Sequence, residues 1–247
     1  MKRLFSLLVF FLLYATGYAG EGRYVEYVLE NQTYEGYFIS PDKNAPLVLI
    51  VQDWDGITDY EIKRAKMLDE LGYQVFLIDM YKKGVRPTLI EDKKRLTSEL
   101  YNNRNEMRKR VLGGVKEGVA LAGGPKNVVI VGYCFGGSVV LELARSGYPL
   151  KGFVSFHGGF STPDGQDYSK TSGDILVFHG GADSVAPLRD LVTLTEDLEK
   201  HKIRYEVHIF SGAPHAFTVF DSPNYRQYAD EKSWEIFLGY LRKIFKE

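Results

Sequence analysis

"VGYCFGGSVV", residues 131–140, holds the only cysteine of the chain in the pattern G-x-C-x-G, with Gly132 and Gly136 two residues to either side of Cys134. The apolar run "NVVIV" leads into it and "SVVLELA" leads away. The segment therefore reads as a strand that enters a tight turn and leaves as a helix. A side chain at the tip of such a turn projects clear of both elements, and glycines two residues before and after let the neighbouring backbone pass. The helix starting behind residue 134 aims free N–H groups and its positive end at the sulfur, which favours thiolate over thiol. A lone cysteine makes no internal disulfide. Buried cysteine often serves as a small apolar filler, but this placement points to a nucleophile.

Outward from the turn, apolar runs and helical periodicities alternate. "RYVEYVLE" and "TYEGYFISP" alternate as a hairpin does, and "PLVLIVQ" is the continuous apolar run of a strand covered on both faces. Ile62, Ala65, Leu68 and Leu71 mark a helix face, "YQVFLIDM" a second buried strand, and Met107, Val111, Val115 and Val119 a long helix that stops at "GGP". Beyond Cys134 come a helix, the strands "GFVSFHG" and "DILVFHG", a helix with Leu188, Leu191, Val192 and Leu198, the alternating strand "RYEVHIF", and an amphipathic helix ending near Phe245. This order predicts an α/β fold: a mostly parallel central sheet of about eight strands with helices on both faces. Such sheets carry their sites at the carboxyl ends of the strands, so the segments Tyr81 to Leu100 and Gly158 to Gly173 are expected to act as pocket-shaping loops.

The chain has 247 residues, 45% hydrophobic and 26% charged, with a net charge of -1. That length suits one large domain as well as two small ones, and a single domain, residues 20–247, is favoured. The near-zero charge supplies no electrostatic drive toward nucleic acid or an anionic surface, and no nucleic-acid partner is expected. Residues 1–19, "MKRLFSLLVFFLLYATGYA", place Lys2 and Arg3 before the apolar stretch 4–14 and end on Gly17 and Ala19 at the spacing of a signal peptidase site. They read as a signal peptide, predicting an exported, periplasmic or secreted protein. A bilayer span needs about twenty apolar residues, so an uncleaved anchor is the lesser alternative, and no membrane span is expected in the mature chain.

A thiol nucleophile needs a base, and the base needs a group to orient it. Among the five histidines, His215 stands in the Gly/Pro loop "SGAPHAFT" after the last strand and is the candidate base. His208 lies within a strand and His201 near a charged helix end, so both read as structural or solvated. His157 and His179 end strands and are read first as packing or hydrogen-bonding residues. Asp183 in "HGGADSVAP" is the candidate orienting acid. The order Cys134, Asp183, His215 is nucleophile, acid, histidine, the order of the α/β-hydrolase fold. No close group of histidine, cysteine and acid residues has metal-ligand spacing, so neither a metal nor an organic cofactor is expected.

The segments "VGYCFGGS", "VFHGGADSVAP" and "GAPHAFT", together with the upstream "VQDWDGITD", resemble the dienelactone hydrolase family, in this order and over the chain after about Gly36. The resemblance implies a catalytic triad of Cys134, Asp183 and His215, with the backbone N–H groups of Phe135 and Trp54 as the oxyanion hole. The family usually has glutamate where this chain has Asp53, and there the acid contacts the resting thiol. Asp53 is therefore a supporting residue, one methylene shorter. Family members acting on dienelactone hold the substrate carboxylate with an arginine four residues beyond the histidine, a position occupied here by Val219. Arg86 is the cation available to replace it, against the plainer reading of a solvated side chain. Tyr133 and Phe135 flank the cysteine. With Val219 they imply a more apolar pocket that prefers neutral lactones or short esters.

The reading that results is a hydrolase that cleaves a small ester or lactone through a thioester on Cys134. A broader carboxylesterase or peptidase on the same fold is the first alternative, since fold and triad determine chemistry better than leaving group. A binding protein of the cell envelope with little turnover is the second.

Overall fold

The computed structural model describes residues 20–246; the expected signal peptide, 1–19, lies outside them. Eight strands and six helices are present among the described residues. The strands are β1 (Arg23–Leu29), β2 (Gln32–Ile39), β3 (Leu47–Val51), β4 (Gln74–Ile78), β5 (Val128–Tyr133), β6 (Gly152–Phe156), β7 (Asp174–Gly180) and β8 (Tyr205–Phe210). The helices are α1 (Asp59–Asp69), α2 (Ile90–Asn102), α3 (Arg104–Leu121), α4 (Phe135–Arg145), α5 (Leu188–Lys200) and α6 (Gln227–Ile244).

One sheet runs in the order β1-β2-β4-β3-β5-β6-β7-β8. The hairpin β1–β2 joins β4 antiparallel, and every pairing from β4 to β8 is parallel. The apolar runs become the parallel strands because helices bury both of their faces. β3, β4, β5 and β6 are buried at every residue. Alternate side chains feed two cores. Leu47, Leu49, Val51 and Ile130 pack with α3, α4 and α5 on one face, while Val48, Ile50, Val129 and Val131 pack with α1 and α6 on the other. α4 lies in the middle and all of its residues are buried. Its Glu142 is therefore paired, receiving Arg145 at 2.7 Å, Arg108 at 2.6 Å and Arg104 at 3.2 Å, since a buried carboxylate is costly without partners.

Two local readings differ from the structure. The segment Tyr81 to Leu100 is not all loop: α2 begins within it at Ile90 and runs on past its end to Asn102. Its surface is polar enough to lack the apolar stripe of a core helix, and only Thr97 and Leu100 are buried. In α5 the buried stripe is Leu191, Leu194 and Leu198, whereas Leu188 and Val192 are exposed, because this helix covers the rim of the sheet beside the edge strand β8.

The strand order reverses at β3. Its crossover through α1 leads to β4 on one side, and the next, through α2 and α3, leads to β5 on the other. The connections leaving β3 and β5 thus diverge and open a crevice at their carboxyl ends, where α/β sheets bind ligands.

Candidate active site

Cys134 stands between β5 and α4 at this crevice. Its backbone has φ 53° and ψ -115°, a conformation costly for any residue with a Cβ. The flanking glycines make it attainable. A Cβ on Gly132 would lie 2.1 Å from the carbonyl oxygen of Gly136, and one on Gly136 would lie 2.3 Å from that of Val51. The N–H of Cys134 is shared between the carbonyl oxygen of Phe156, at 3.0 Å, and His157 Nδ1, at 3.1 Å.

The sulfur faces His215, with Sγ 3.0 Å from Nε2. His215 Nδ1 lies 2.9 Å from Asp183 Oδ2. The other carboxylate oxygen of Asp183 accepts the N–H groups of Val185 at 2.8 Å and Ala186 at 2.9 Å. Burial alone would raise the Asp183 pKa, but His215 and these N–H groups outweigh it and hold the carboxyl below its ordinary value. The carboxylate is thus ionised and oriented, with His215 Nδ1–H as donor and Nε2 free to accept a proton from sulfur. Cys134, Asp183 and His215 are brought together from the ends of β5, β7 and β8.

The thiol itself differs from the expectation. Cys134 keeps part of its surface open to the crevice, yet burial pushes its pKa up, and the Asp53 carboxyl adds to this. The Phe135 N–H opposes them without prevailing. The start of α4 does bear on the sulfur, but desolvation is the larger effect, so the resting group is a thiol hydrogen-bonded to imidazole.

The contact between Asp53 and the thiol that the resemblance implied is not made. Asp53 Oδ1 accepts the N–H of Asp55 at 2.7 Å, while the Asp53 N–H donates to Glu61 Oε1 at 3.2 Å, and no hydrogen bond joins Asp53 to the sulfur. The shorter side chain is folded into its own turn. Burial, then Glu61 and Asp55, raise its pKa well above the ordinary value. Asp55 pairs with Lys93 at 2.6 Å.

Cys134 and His215 open into a cavity of about 340 Å³, lined also by Trp54, Lys94, Thr97, Ser98, Tyr101, Phe135, Gly159 and Val185. Trp54 and Phe135, whose N–H groups were assigned to an oxyanion, both border it. Tyr133 does not. It is buried on the opposite face of the sheet, stacked on Phe156 at 4.9 Å and edge-on to Tyr60, because successive residues of β5 point to opposite faces. Arg86 is also absent from the lining. Its guanidinium donates to the carbonyl oxygens of Ile57 and Val85, both at 2.9 Å, and lies near Glu35 and Asp79. It braces the loop of Gly56, half-buried, and does not face the cavity. Val219 sits in the turn after Ala216 and does not line the cavity.

Lys94, Thr97 and Ser98 fall in the segment expected to shape a pocket and Gly159 in the other, whereas Tyr101, one residue beyond the first, and Val185 were not singled out in the sequence. Lys94, Thr97, Ser98 and Tyr101 recur at the i, i+3, i+4, i+7 spacing of one helix face. The spacing is present in the sequence, but this face is polar and carries no apolar stripe to mark it. Tyr101 Oη donates to Ser138 Oγ at 3.0 Å, tying this wall to α4.

A mostly parallel eight-stranded sheet with helices on both faces, and a cysteine on the strand-to-helix turn at its switch point followed in chain order by an acid and a histidine, has the architecture of an α/β-hydrolase. The chain belongs to the dienelactone hydrolase family, whose model matches residues 34–245. A protein of Saccharolobus solfataricus with the provisional name carboxymethylenebutenolidase is 34% identical over 125 residues, 50% of this chain and 47% of that protein, so the match spans about half of that relative's length. A protein of Synechocystis sp. with the same provisional name is 22% identical over 228 residues, covering 83% of this chain and 90% of its own. Among solved structures, the dienelactone hydrolase-like promiscuous phosphotriesterase P91 from metagenomic libraries is similar, with a TM-score of 0.85 and 25% identity over 92% of this chain and 99% of that one.

Proposed function

We propose that this protein hydrolyses a small ester or lactone by covalent catalysis at Cys134. The observation that carries the reading is the unbroken line from Cys134 Sγ through His215 to Asp183, at 3.0 and 2.9 Å, opening into a cavity. In this reading His215 Nε2 takes the thiol proton as sulfur bonds to the substrate carbonyl carbon. The carbonyl oxygen becomes an oxyanion held by the N–H groups of Phe135 and Trp54, each worth about 3 kcal/mol of barrier. The C–O bond then breaks, and the leaving oxygen takes the proton from His215, leaving a thioester. Water, deprotonated by the same imidazole, adds to the thioester, and the acid departs as sulfur regains its proton. Because the resting thiol is not ionised, proton transfer accompanies attack.

Trp54, Tyr101, Phe135 and Val185 give the cavity apolar walls that suit the carbon skeleton of a lactone or short ester. Export belongs to the same proposal and is supported by the basic, apolar and small-residue order of residues 1–19.

The test combines kinetics with intact mass. A panel of lactones, aryl esters, peptides and an aryl phosphotriester is offered to the parent and to the Cys134→Ala, His215→Ala and Asp183→Asn variants. Turnover of an ester or lactone is expected to fall by at least about a thousandfold in the first two, whose effects do not add. Deacylation-slow substrates are expected to leave an acyl mass on Cys134. Cys134→Ala activity within about tenfold of the parent would end the cysteine mechanism.

A further inference from the structure

His157 follows β6 and takes no part in the chemistry above, yet it joins the two halves of the site. It is fully buried with φ 41°. The backbone N–H of Cys134 is a donor only, so the His157 Nδ1 that faces it at 3.1 Å is an acceptor. The neutral ring then carries its proton on Nε2, which lies 2.8 Å from Thr218 Oγ1. Thr218 is three residues beyond His215 in the same loop. Its hydroxyl also lies 2.6 Å from Tyr60 Oη, and its carbonyl oxygen accepts Arg64 Nη2 at 2.8 Å, the Arg64 guanidinium being paired with buried Asp230. The His157 ring stands edge-on to both His215 and Phe217, with centroids 5.4 Å away in each case.

These contacts close a ring. From Cys134 Sγ it passes to His215, along the chain to Thr218, across the hydroxyl to His157, and back through Nδ1 to the N–H of Cys134 itself. The sheet pairings through β6 and β7 join the strands that carry residues 134 and 215, whereas this ring joins the β5–α4 turn to the loop of His215 at the level of the reacting groups. We infer that His157, through Thr218, is a positioning residue that sets the distance between Cys134 Sγ and His215 Nε2. The inference rests on the proposed roles of Cys134 and His215. One imidazole suits the task because its two nitrogens can face opposite partners, accepting on one side and donating on the other. A neutral ring is needed, and burial, then His215 and Arg64, hold the His157 pKa well below its ordinary value.

The experiment breaks the ring on either side of the imidazole. Thr218→Val removes the hydroxyl at nearly constant volume, His157→Phe keeps the ring but neither nitrogen, and Thr218→Ser restores the hydroxyl. kcat and KM on an aryl ester, the rate of Cys134 alkylation by iodoacetamide at one pH, and the melting temperature are measured for each and for the double variant. In both breaking variants kcat is expected to fall by up to about a hundredfold, the scale of a misplacement near 1 Å, with KM little changed. Alkylation should slow as the thiol loses its aligned base, and Thr218→Ser should recover both rates. The double variant should lose no more than the worse single one, since both cut the same link. A folded Thr218→Val or His157→Phe protein with parental kcat and alkylation rate would overturn the inference, as would single losses that multiply in the double variant. If one variant does not fold, the other decides. Should the parent hydrolyse nothing offered, alkylation still decides: slowing in the variants would support the link while the hydrolase reading failed.

Discussion

At the scale of single residues, the buried carboxyl of Asp53 bears on both the stability of the fold and the thiol of Cys134. The carboxyl is buried 8% exposed, beside Glu61 and Asp55, with a pKa raised well above the ordinary value. An acid that holds its proton more tightly when folded contributes most below its unfolded pKa of about 3.9 and loses that contribution as pH rises through the folded value. Asp53→Asn is therefore expected to melt higher than the parent near neutral pH, by about 2–4 °C for each kcal/mol gained. The gap should close as the pH falls below the ordinary aspartate range, and thermal melts over pH 3 to 8 provide the check. The same substitution removes the second-largest influence raising the Cys134 pKa, so iodoacetamide should react with the thiol at lower pH. An unchanged alkylation profile would show that Asp53 does not reach the sulfur electrostatically.

At the scale of elements, the site depends on two close approaches. The turn from β5 to α4 passes against β3 so tightly that a Cβ on Gly136 would lie 2.3 and 2.5 Å from the carbonyl oxygens of Val51 and Gln52. Neither backbone has freedom to move, since β3 is paired on both sides. Gly136→Ala is expected to cost about 1–3 kcal/mol or more of stability and to lower kcat by shifting the N–H of Phe135, as urea unfolding and ester kinetics would register. The second approach is that of α2, whose polar face forms one wall. Lys94, exposed at its rim, is the single cation among the cavity-lining residues, and with Arg86 and Val219 elsewhere it is the group placed to meet a substrate charge. Lys94→Gln is expected to reduce kcat/KM for a carboxylate-bearing lactone by up to about tenfold, the worth of a partly exposed ion pair. Its methyl ester should be unaffected. Equal effects on both substrates would remove Lys94 from charge recognition and leave the cavity to neutral substrates alone.

At the scale of the whole molecule, residues 20–246 contain the eight-stranded sheet, both cores and all groups of the proposed site. A chain beginning at Gly20 is therefore expected to fold, melt and turn over ester like the full-length protein. N-terminal sequencing of envelope material should find Gly20, and a mature protein still starting at Met1 would replace the cleaved leader with an anchor.

Much of this was legible in the sequence because it is local. Strand and helix periods follow from neighbouring side chains sharing a face, and the elbow follows from a steric demand that two glycines meet within five residues. The order Cys134, Asp183, His215 needed only the position of each residue just after a strand. What lay beyond the sequence depends on sums over distant parts. Whether Tyr133 or Phe135 faces the cavity is set by which side of the pleat β5 turns toward α4, and its apolar pattern is the same on both sides. Arg86 was assigned by charge, whereas its hydrogen bonds are with carbonyl oxygens that the fold brings to it. The thiol's raised pKa reflects burial by the whole crevice, which outweighs the adjacent helix start. The bond from His157 to Thr218 spans 61 positions, and nothing short of the packed sheet brings those two residues together.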